Sequence, residues 1–311
     1  MKVLVTGARG FIGDSLCRRL AASGHEVTGL VRKAPENVSW MRFTAVGDLE
    51  AVSDFAPFAA GQDAIVHLAA RVHMMRETAA DPAAAYRRAN VDVTRRLAEA
   101  GAAAGVGRFV FLSSVKVNGE ATRKKPFDET DAPAPEDAYG RSKLEAERVL
   151  SDVPGAMALR TPLVYGPGVK ANFRALVRLC DTTLPVPFDG LTGNRRSLLF
   201  LGNLTHAVER VLETPEPPRG PFLLADGEDL STAELVRRIR FSLGRRTLPC
   251  PVPAAALRGL AALAGRRAAA DRLCGSLRID SGRFRAAFRW TPPYTVGQGI
   301  AATAAWHRAS S

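Results

Sequence analysis

The stretch VLVTGARGFIGDSL, residues 3–16, decides the fold class of this chain. A β-rich apolar run leads into Gly7, Gly10 and Gly13, and an amphipathic helical pattern follows the glycines. Glycines in such a loop permit a tight turn, close approach of the backbone to a pyrophosphate, and close packing of helix on strand. The N-terminus of the helix then faces the anion. The stretch therefore predicts a dinucleotide-binding strand-loop-helix unit.

Outward from this loop, β-rich runs alternate with amphipathic helical stretches as far as about residue 165. Such alternation is typical of a parallel sheet covered by helices on both faces. Pro- and Gly-rich pieces and an Ala/Arg-rich tail from 229 then predict a smaller lobe over the carboxyl edge of the sheet. We expect an α/β fold: a doubly wound parallel sheet with a smaller, interleaved C-terminal substrate lobe. The predicted strands are 2–6, 26–31, 64–70, 108–114, 157–166 and 222–227, and the main predicted helices are 13–23, 82–105 and 139–152.

Bulk composition excludes several classes of protein. The 311 residues, 46% of them hydrophobic, suffice for a large core. The start MKVLVTGARG has no signal-peptide core, and the apolar segment AAALRGLAALAG is too short to span a membrane and contains Arg258. The four cysteines stand far apart, which predicts neither a metal site nor a disulfide framework. We expect a cytoplasmic protein without membrane insertion.

The charge balance favours anionic ligands. Lys and Arg outnumber Asp and Glu by 43 to 31, giving a net charge of +12. The basic residues form scattered doublets rather than one tract, and aromatic residues make up only 7%, so we do not expect a nucleic-acid partner.

The end of the second predicted strand decides the cofactor. NAD enzymes place an acid there against the ribose, whereas NADP enzymes place an arginine against the 2′-phosphate. This chain has Arg32 and Lys33 and no acid, and Arg9 in the glycine loop is a further candidate for the same phosphate. The sequence favours NADP(H), with NAD(H) as the alternative. Asp48 and Leu49 suit a contact with the adenine edge, although a helix N-cap also explains Asp48.

Tyr139 and Lys143 are the candidate reactive residues. They are four apart at the start of a predicted helix, so both side chains share one face. An ammonium near a phenol stabilises phenolate, which makes the tyrosine an acid or base for a carbinol or carbonyl oxygen. Ser114, at the end of a neighbouring strand, is placed to hydrogen bond the same oxygen.

Six motifs in order resemble the extended short-chain dehydrogenase/reductases, in the branch of nucleotide-sugar epimerases, dehydratases and reductases. The similarity spans nearly the whole chain. It implies an NAD(P)-binding Rossmann domain at 1–165, continued at 198–226, and a nucleotide-sugar-binding lobe at 166–197 and 227–311. The motifs are TGARGFIG (6–13), HLAA (67–70), RANVDVT (88–94), SSVKVNG (113–119), YGRSK (139–143) and RTPLVYGPG (160–168).

The resemblance also implies roles for individual residues. Tyr139 would be the acid/base, Lys143 would hold the nicotinamide ribose and lower the tyrosine pKa, and Ser114 would bond the substrate C4 oxygen. Beyond the residues already named, the implied cofactor-binding positions are Phe11, Ile12, Leu68, Ala69, Ala70 and Pro162. Asn90 would have either a structural role or a place on the cofactor side.

On the substrate side, the resemblance implies sugar-diphosphate contacts for Asn172, Arg196 and Arg272, and a segment along the uracil at 185–188. Arginine forks well onto phosphate oxygens. Helices beginning near 82 and 139 would form the interface of a homodimer.

Lys116 is an unusual residue in the run RFVFLSSVKVNGE (108–120), which otherwise reads as a buried strand ending in a turn. Because it follows Ser114 by two, the strand period places it on the same face, toward the sugar. It would then hold an anionic or carbonyl-bearing substrate. A solvent-facing lysine is the alternative.

The residues directly after Ser114 bear on the choice of reaction. A 4,6-dehydratase usually has an Asp-Glu pair there, and this chain has Val115 and Lys116, which disfavours dehydration. The absence of an acid after the second strand favours exchangeable NADPH. We therefore expect a reductase. SSVKVNGE (113–120), YGPGVKANF (165–173) and NRRSL (194–198) further resemble bacterial polysaccharide-cluster proteins that are similar to UDP-glucose 4-epimerase and include C4-reductases. This resemblance implies reduction of the C4 ketone of a UDP-4-keto-6-deoxy-N-acetylhexosamine (UDP-QuiNAc type) for bacterial surface polysaccharide. The alternatives are a UDP-hexose or UDP-N-acetylhexosamine 4-epimerase with tightly bound NAD, a reductase of a small non-sugar ketone, and a non-catalytic NAD(P)-binding regulator.

Overall fold

The computed structural model describes residues 1–36, 38–72, 81–247, 249–263, 265 and 267–310. Its main sheet has seven parallel strands in the order β3-β2-β1-β4-β5-β6-β9, and β7 and β8 form a separate parallel pair. The strands are β1 (Lys2–Thr6), β2 (Glu26–Val31), β3 (Arg42–Ala45), β4 (Ala64–His67), β5 (Arg108–Ser114), β6 (Ala156–Thr161), β7 (Leu163–Tyr165), β8 (Leu198–Phe200) and β9 (Gly220–Leu223).

The strand order is that of a Rossmann fold, with its topological switch between β1 and β4. The central strands β1, β4 and β6 are almost wholly buried, as expected when helices cover both faces of a parallel sheet. Ligands of such sheets bind in the crevice outside the carboxyl ends of the strands at the switch point. The predicted α/β fold is therefore confirmed.

Twelve α-helices pack around these strands in the described part of the chain. They are α1 (Phe11–Ala22), α2 (Ala56–Ala59), α3 (Pro82–Arg87), α4 (Val93–Ala103), α5 (Ala138–Leu150), α6 (Ala171–Cys180), α7 (Leu201–Glu213), α8 (Thr232–Ser242), α9 (Ala254–Leu263), α10 (Arg267–Cys274), α11 (Gly282–Phe288) and α12 (Val296–Ala309). A π-helical turn, Arg88–Asp92, joins α3 to α4. No described helix is both long and apolar enough to cross a membrane.

Separate apolar clusters line the two faces of the main sheet, and a third lies in the lobe of β7, β8, α6, α8 and α12. The predicted lobe included all of 227–311, but Phe284, Phe288 and Trp290 pack with Phe222 in the cluster on the α1 and α7 face of the sheet. The domain limits otherwise stay a prediction.

Of the predicted strands, 108–114 matches β5, 64–70 and 222–227 end earlier than predicted, at His67 and Leu223, and 157–166 is divided in two. The run 157–166 is not one strand, because Pro162 lacks an N–H and separates β6 from β7, which pairs outside the main sheet. The strand carrying Ser114 ends at that residue, and Val115–Val117 forms a 3₁₀ turn. Lys116 therefore does not lie in a strand, and the two-residue period does not give its direction.

Candidate active site

The glycine loop packs too tightly for side chains. Gly7 has φ +70°, and a Cβ there would lie 2.9 Å from the Ala69 nitrogen; a Cβ on Gly13 would lie 2.1 Å from the Gly7 oxygen. Gly10 begins α1 and donates from its N–H to the Gly7 oxygen at 2.8 Å. The N–H groups in the first turn of α1, which include those of Phe11 and Ile12, have no partner within a helix. This cradle fits a pyrophosphate.

At the adenosine end, Arg32 follows β2, and its guanidinium lies 4.0 Å from the exposed carboxylate of Asp48. Asp48 also accepts a hydrogen bond from the Glu50 N–H at 3.1 Å and so caps the 3₁₀ turn Leu49–Ala51. Asp48 thus is an N-cap, as one interpretation of the sequence had it, and it also forms an ion pair with Arg32.

Arg9 borders a cavity at the N-terminus of α1. The cavity has a volume of about 750 Å³ and is also lined by Phe11, Lys170 and Tyr294, whereas Arg32 is not part of its lining. A contact of Arg9 with a 2′-phosphate stays a prediction.

A buried hydrogen-bond chain lies beneath the glycine loop. Thr6 accepts from the Ala69 N–H at 3.2 Å and contacts His67 Nδ1 at 2.6 Å, and His67 Nε2 contacts Thr94 at 3.0 Å. Since the Thr94 hydroxyl donates to the Asn90 carbonyl at 2.6 Å, we assign the His67 proton to Nε2. Burial, with the charge of Lys143 second, lowers the pKa of His67 to about 3, so its ring is neutral.

Asn90 connects this chain to the reactive helix. Its side chain accepts from the Arg71 N–H at 2.8 Å and donates to the Arg71 carbonyl at 3.0 Å and to the Ser142 hydroxyl at 2.9 Å. Ser142 in turn donates to the Tyr139 carbonyl at 2.8 Å. Asn90 lies in the π-helical turn, a feature found often at functional sites. The geometry favours the structural role among those that the sequence implied for it.

Ser114, Tyr139 and Lys143 come together where β5 ends against α5. The Ser114 side chain hydrogen bonds the Tyr139 phenol. The Lys143 ammonium donates to the Leu112 carbonyl at 2.8 Å and lies 5.9 Å from the centre of the Tyr139 ring. The remaining implied cofactor positions border this crevice: Leu68 and Ala69 hydrogen bond Thr6 after β4, Ala70 follows them, and Pro162 follows β6.

Burial dominates the protonation of both reactive groups. It raises the pKa of Tyr139 well above its usual value, the charge of Asp137 raises that pKa further, and the hydrogen bond from Ser114 opposes the rise. Burial also lowers the pKa of Lys143 to about 7, against the opposing charge of Glu147. The sequence predicted that the ammonium lowers the tyrosine pKa. In the structure burial outweighs that effect.

Lys116 is fully engaged in ion pairs. Its ammonium lies 2.6 Å from a carboxylate oxygen of Glu120 and 2.6 Å from one of Asp137, with only 21% of its side chain exposed. Lys116 is therefore not a solvent-facing lysine. Its charge is also already paired within the chain, which does not favour the predicted role in binding an anionic substrate.

The two predicted phosphate-binding arginines are neighbours. Arg196 precedes β8 and donates to the Arg272 carbonyl at 2.6 Å and the Gly275 carbonyl at 3.2 Å. Burial lowers the pKa of Arg196, the charge of Glu120 opposes this, and the charge of Arg272 adds a smaller lowering. Asn172 lies exposed in the first turn of α6, whereas Val186 and Phe188 of the predicted uracil segment are buried in the lobe core.

Sequence reasoning missed a second ion pair, beneath Lys143. Arg160 of β6 binds Glu147 of α5 through Nε at 3.0 and 3.1 Å and through Nη2 at 2.6 Å, and both side chains are buried. Asn118 accepts from Arg160 at 3.1 Å, and Ser113 donates to Glu147. Asn118, just before Gly119, thus helps to hold the buried guanidinium of Arg160.

The other missed residues are His67 and the carboxylates of Asp137 and Glu120. Asp137 had a signal, since an aspartate just before a helix is a typical N-cap. Its N-cap contact, from the Gly140 N–H at 2.7 Å, is present. Among the described residues, no group of His, Cys, Asp and Glu could hold a metal ion, and the four cysteines are free.

The fold and this site define a Rossmann enzyme of the Ser-Tyr-Lys type that uses a nicotinamide dinucleotide. A model of the NAD dependent epimerase/dehydratase family matches residues 3–223, and the chain belongs to that family.

Two curated relatives and one solved structure set this membership in context. The chain is 38% identical to a UDP-glucose 4-epimerase of Vibrio cholerae, covering 97% of this chain and 94% of the relative. It is 30% identical to a 3-beta-hydroxysteroid dehydrogenase of Mycolicibacterium neoaurum, covering 79% and 71%. A structure of MoeE5 in complex with UDP-glucuronic acid and NAD has a TM-score of 0.77 at 25% identity and covers 100% of both chains. The chain is thus an NAD(P)-dependent enzyme similar to nucleotide-sugar epimerases.

Proposed function

We propose that this protein is a 4-epimerase of UDP-hexoses or UDP-N-acetylhexosamines that works with tightly bound NAD. The observation that carries the proposal is the 38% identity, over nearly the full length of both chains, to the Vibrio cholerae UDP-glucose 4-epimerase. The contact of Ser114 with Tyr139, and the position of Lys143 one helical turn later, supply the acid/base chemistry that such a reaction needs.

The residues of the chain divide the chemistry in a simple way. Tyr139 removes the proton from the C4 hydroxyl and later returns it, while Ser114 hydrogen bonds the same oxygen. A bound nicotinamide supplies the acceptor and donor of the C4 hydride. Because burial raises the pKa of Tyr139, the phenol needs nearby positive charge to act as a base. The Lys143 ammonium, 5.9 Å from the centre of its ring, can supply that charge. The neighbouring Arg196 and Arg272 would bind the diphosphate.

Dehydration receives no support from the turn after Ser114. Two carboxylates, Glu120 and Asp137, do lie near this turn, but Lys116 binds both. Paired carboxylates of this kind are poor bases for proton abstraction at C5, because the ammonium stabilises their charged, proton-free form.

A second candidate is the NADPH-dependent reductase of a UDP-4-keto-6-deoxy-N-acetylhexosamine that the sequence favoured. One observation supports it: β2 ends without an acid, and Arg32 stands exposed where a 2′-phosphate would lie. The similarity to a UDP-glucose 4-epimerase favours the first candidate. Reduction of a small ketone finds a parallel in the steroid dehydrogenase relative. NADP preference, homodimer formation and a cytoplasmic location stay predictions.

One experiment separates the candidates. The purified protein is denatured to identify any released dinucleotide, and the native protein is incubated with UDP-glucose and with UDP-GlcNAc without added cofactor. Released NAD and appearance of the C4 epimer support the epimerase. No epimer, together with NADPH consumption on a UDP-4-keto-6-deoxy-N-acetylhexosamine, would establish the reductase instead. Arg196→Ala should raise the KM for a UDP-sugar about tenfold or more, since a charge-assisted contact to phosphate is lost.

A further inference from the structure

Lys116 joins two segments that the fold brings together beside the reactive tyrosine. Its ammonium donates to Glu120, four residues along its own segment, and to Asp137 on the far side of the 16-residue stretch 121–136, at 2.6 Å each. Asp137 is the N-cap of α5, the helix that carries Tyr139 at its second residue. The lysine thus ties the turn after Ser114 to the start of the reactive helix.

The backbones of the 3₁₀ turn after Ser114 and of the start of α5 also approach each other closely at this junction. A Cβ on Gly140 would lie 2.8 Å from the Lys116 carbonyl oxygen, so only glycine permits this approach of α5 to the 3₁₀ turn. The Lys116 N–H also lies 3.3 Å from the Ser114 hydroxyl, whose side chain reaches the Tyr139 phenol. A change at Lys116 is therefore transmitted to both groups that hold the substrate oxygen.

Charge gives the junction a chemical consequence. The carboxylate of Asp137, two residues before Tyr139, opposes formation of the phenolate, and Lys116 neutralises that carboxylate directly. Other ionisable groups near Tyr139 in the described part of the chain include Lys143 on its own helix and Tyr86 of α3, and Glu120 lies behind Lys116. With Lys116 removed, Asp137 and Glu120 would both lose the cation that binds them, which increases the negative charge near the phenol.

We propose that Lys116 is a positioning residue for the acid/base step: by binding the N-cap Asp137 and Glu120 it seats the start of α5 and shields Tyr139 from their charge. Only the activity assay of this proposal rests on the proposed function, because the second readout below needs no turnover. The positioning role differs from a sugar-binding role, because both contacts of the ammonium are to the chain's own carboxylates.

The test uses four variants. Lys116→Met removes the charge at similar length, Lys116→Arg retains it, and Asp137→Asn removes the opposing carboxylate while keeping a good N-cap residue. Lys125→Met is the matched control, since Lys125 also bridges two carboxylates, Asp128 and Asp131, but is 61% exposed and belongs to a surface loop.

The first readout is the pH dependence of kcat and KM for the UDP-sugar. A base that must be phenolate gives a rate that rises with pH through its apparent pKa. Lys116→Met should move this rise upward by about one pH unit, the lower end of shifts typical for one close charge, with KM changed less than about twofold. Lys116→Arg and Lys125→Met should leave the profile in place. Adding Asp137→Asn to Lys116→Met should move it back.

The second readout does not need turnover. Phenolate absorbance is followed on raising the pH of the NAD-loaded protein, with Tyr139→Phe subtracted, which is practical because the chain has four tyrosines. Asp137→Asn should ionise at lower pH than the unmodified protein and Lys116→Met at higher pH. If the unmodified protein turns over no UDP-sugar, the proposed function fails and this titration still decides the role of Lys116.

Two results would overturn the assignment. A higher KM for Lys116→Met with an unshifted pH profile would make Lys116 a substrate contact. Coincident phenolate titrations of Lys116→Met, Asp137→Asn and the unmodified protein would show that the junction does not act on Tyr139.

Discussion

The buried pair of Arg160 and Glu147 should be one of the costliest contacts in the molecule to break. The two side chains are 4% and 8% exposed and share three short hydrogen bonds. Removing one partner of such a pair leaves an uncompensated buried charge, which typically costs about 3–5 kcal/mol. In Arg160→Met the carboxylate of Glu147 would lose all three hydrogen bonds to the guanidinium and retain the hydroxyl of Ser113 and the attraction of the Lys143 charge.

The size of the effect on thermal unfolding can be worked out from the length of the chain. An unfolding entropy of about 2.1 cal/mol/K per residue, over 311 residues, makes 1 kcal/mol equal to about 1.5 °C. Arg160→Met should therefore lower the midpoint by about 5–8 °C, measured by circular dichroism at neutral pH. On the same helix, Glu145 pairs with Arg87 at the surface, with 45% and 62% of the side chains exposed. The control Arg87→Met should cost less than about 1 kcal/mol.

A double-mutant cycle tests the physical reason. Arg160→Met combined with Glu147→Gln removes both charges and leaves an amide that still accepts from Ser113. Its free energy of unfolding, from urea titration, should exceed that expected from the two single variants by at least about 2 kcal/mol. Additive losses, or a loss below about 1 kcal/mol in Arg160→Met, would refute the view that an unpaired buried charge is the source of the cost.

Three further outcomes are expected. Gly13→Ala should weaken NAD binding at least about tenfold and lower the free energy of unfolding by about 1–3 kcal/mol, because its Cβ would lie 2.1 Å from the Gly7 oxygen. The control Gly193→Ala, which has open space around it, should change neither quantity. Equal NAD affinities of Gly13→Ala and the unmodified protein would contradict this. Tyr139→Phe should lower kcat by about 10²–10⁴ with cofactor affinity retained, and a variant that keeps its turnover would remove Tyr139 from the reaction. In the cofactor-free protein the pKa of Lys143 is lowered to about 7, so between pH 7 and about 10 the unfolded state binds more protons and stability rises with pH. Lys143→Met should therefore raise the melting midpoint most below pH 7 and progressively less above it, and a gain independent of pH would contradict the buried charge.

The main sheet was predictable because its central strands are buried on both faces and so read as continuous apolar runs. The glycine loop was predictable because Gly7 and Gly13 stand where a side chain would collide with nearby backbone. The three-residue strands β7 and β8 were not, since three residues carry no periodic signal, and the break between β6 and β7 depends on Pro162 alone. The packing of Phe284 and Trp290 against the sheet also depends on contacts distant in sequence.

The same distinction holds for the site. Tyr139 and Lys143 face the same way because they are one helical turn apart, and Ser114 ends a strand, so local rules suffice to group them. Asp137, one of the two partners of Lys116, and Arg160, the partner of Glu147, lie in other segments, and no local pattern predicts that these charges will meet. The direction of Lys116 was predicted from the strand period, which failed because the strand ends two residues earlier.

The π-helical turn at Arg88–Asp92 also bears on how the length of this segment can change in evolution. Such a turn contains one residue more than a regular α-helix would use for the same rise. Deleting one residue there, with the turn becoming regular α-helix, would leave the two halves in nearly the same rotation, because the π-helical turn already absorbs the extra residue. Leu97 could then keep its place in the core, whereas the bonds of Asn90 to Arg71 and Ser142, which are made from within this turn, would be lost or moved. A relative with a single-residue gap at 88–92 should therefore keep the packing of α4 and lack the contacts of Asn90, which makes the length of this segment a marker for aligning relatives.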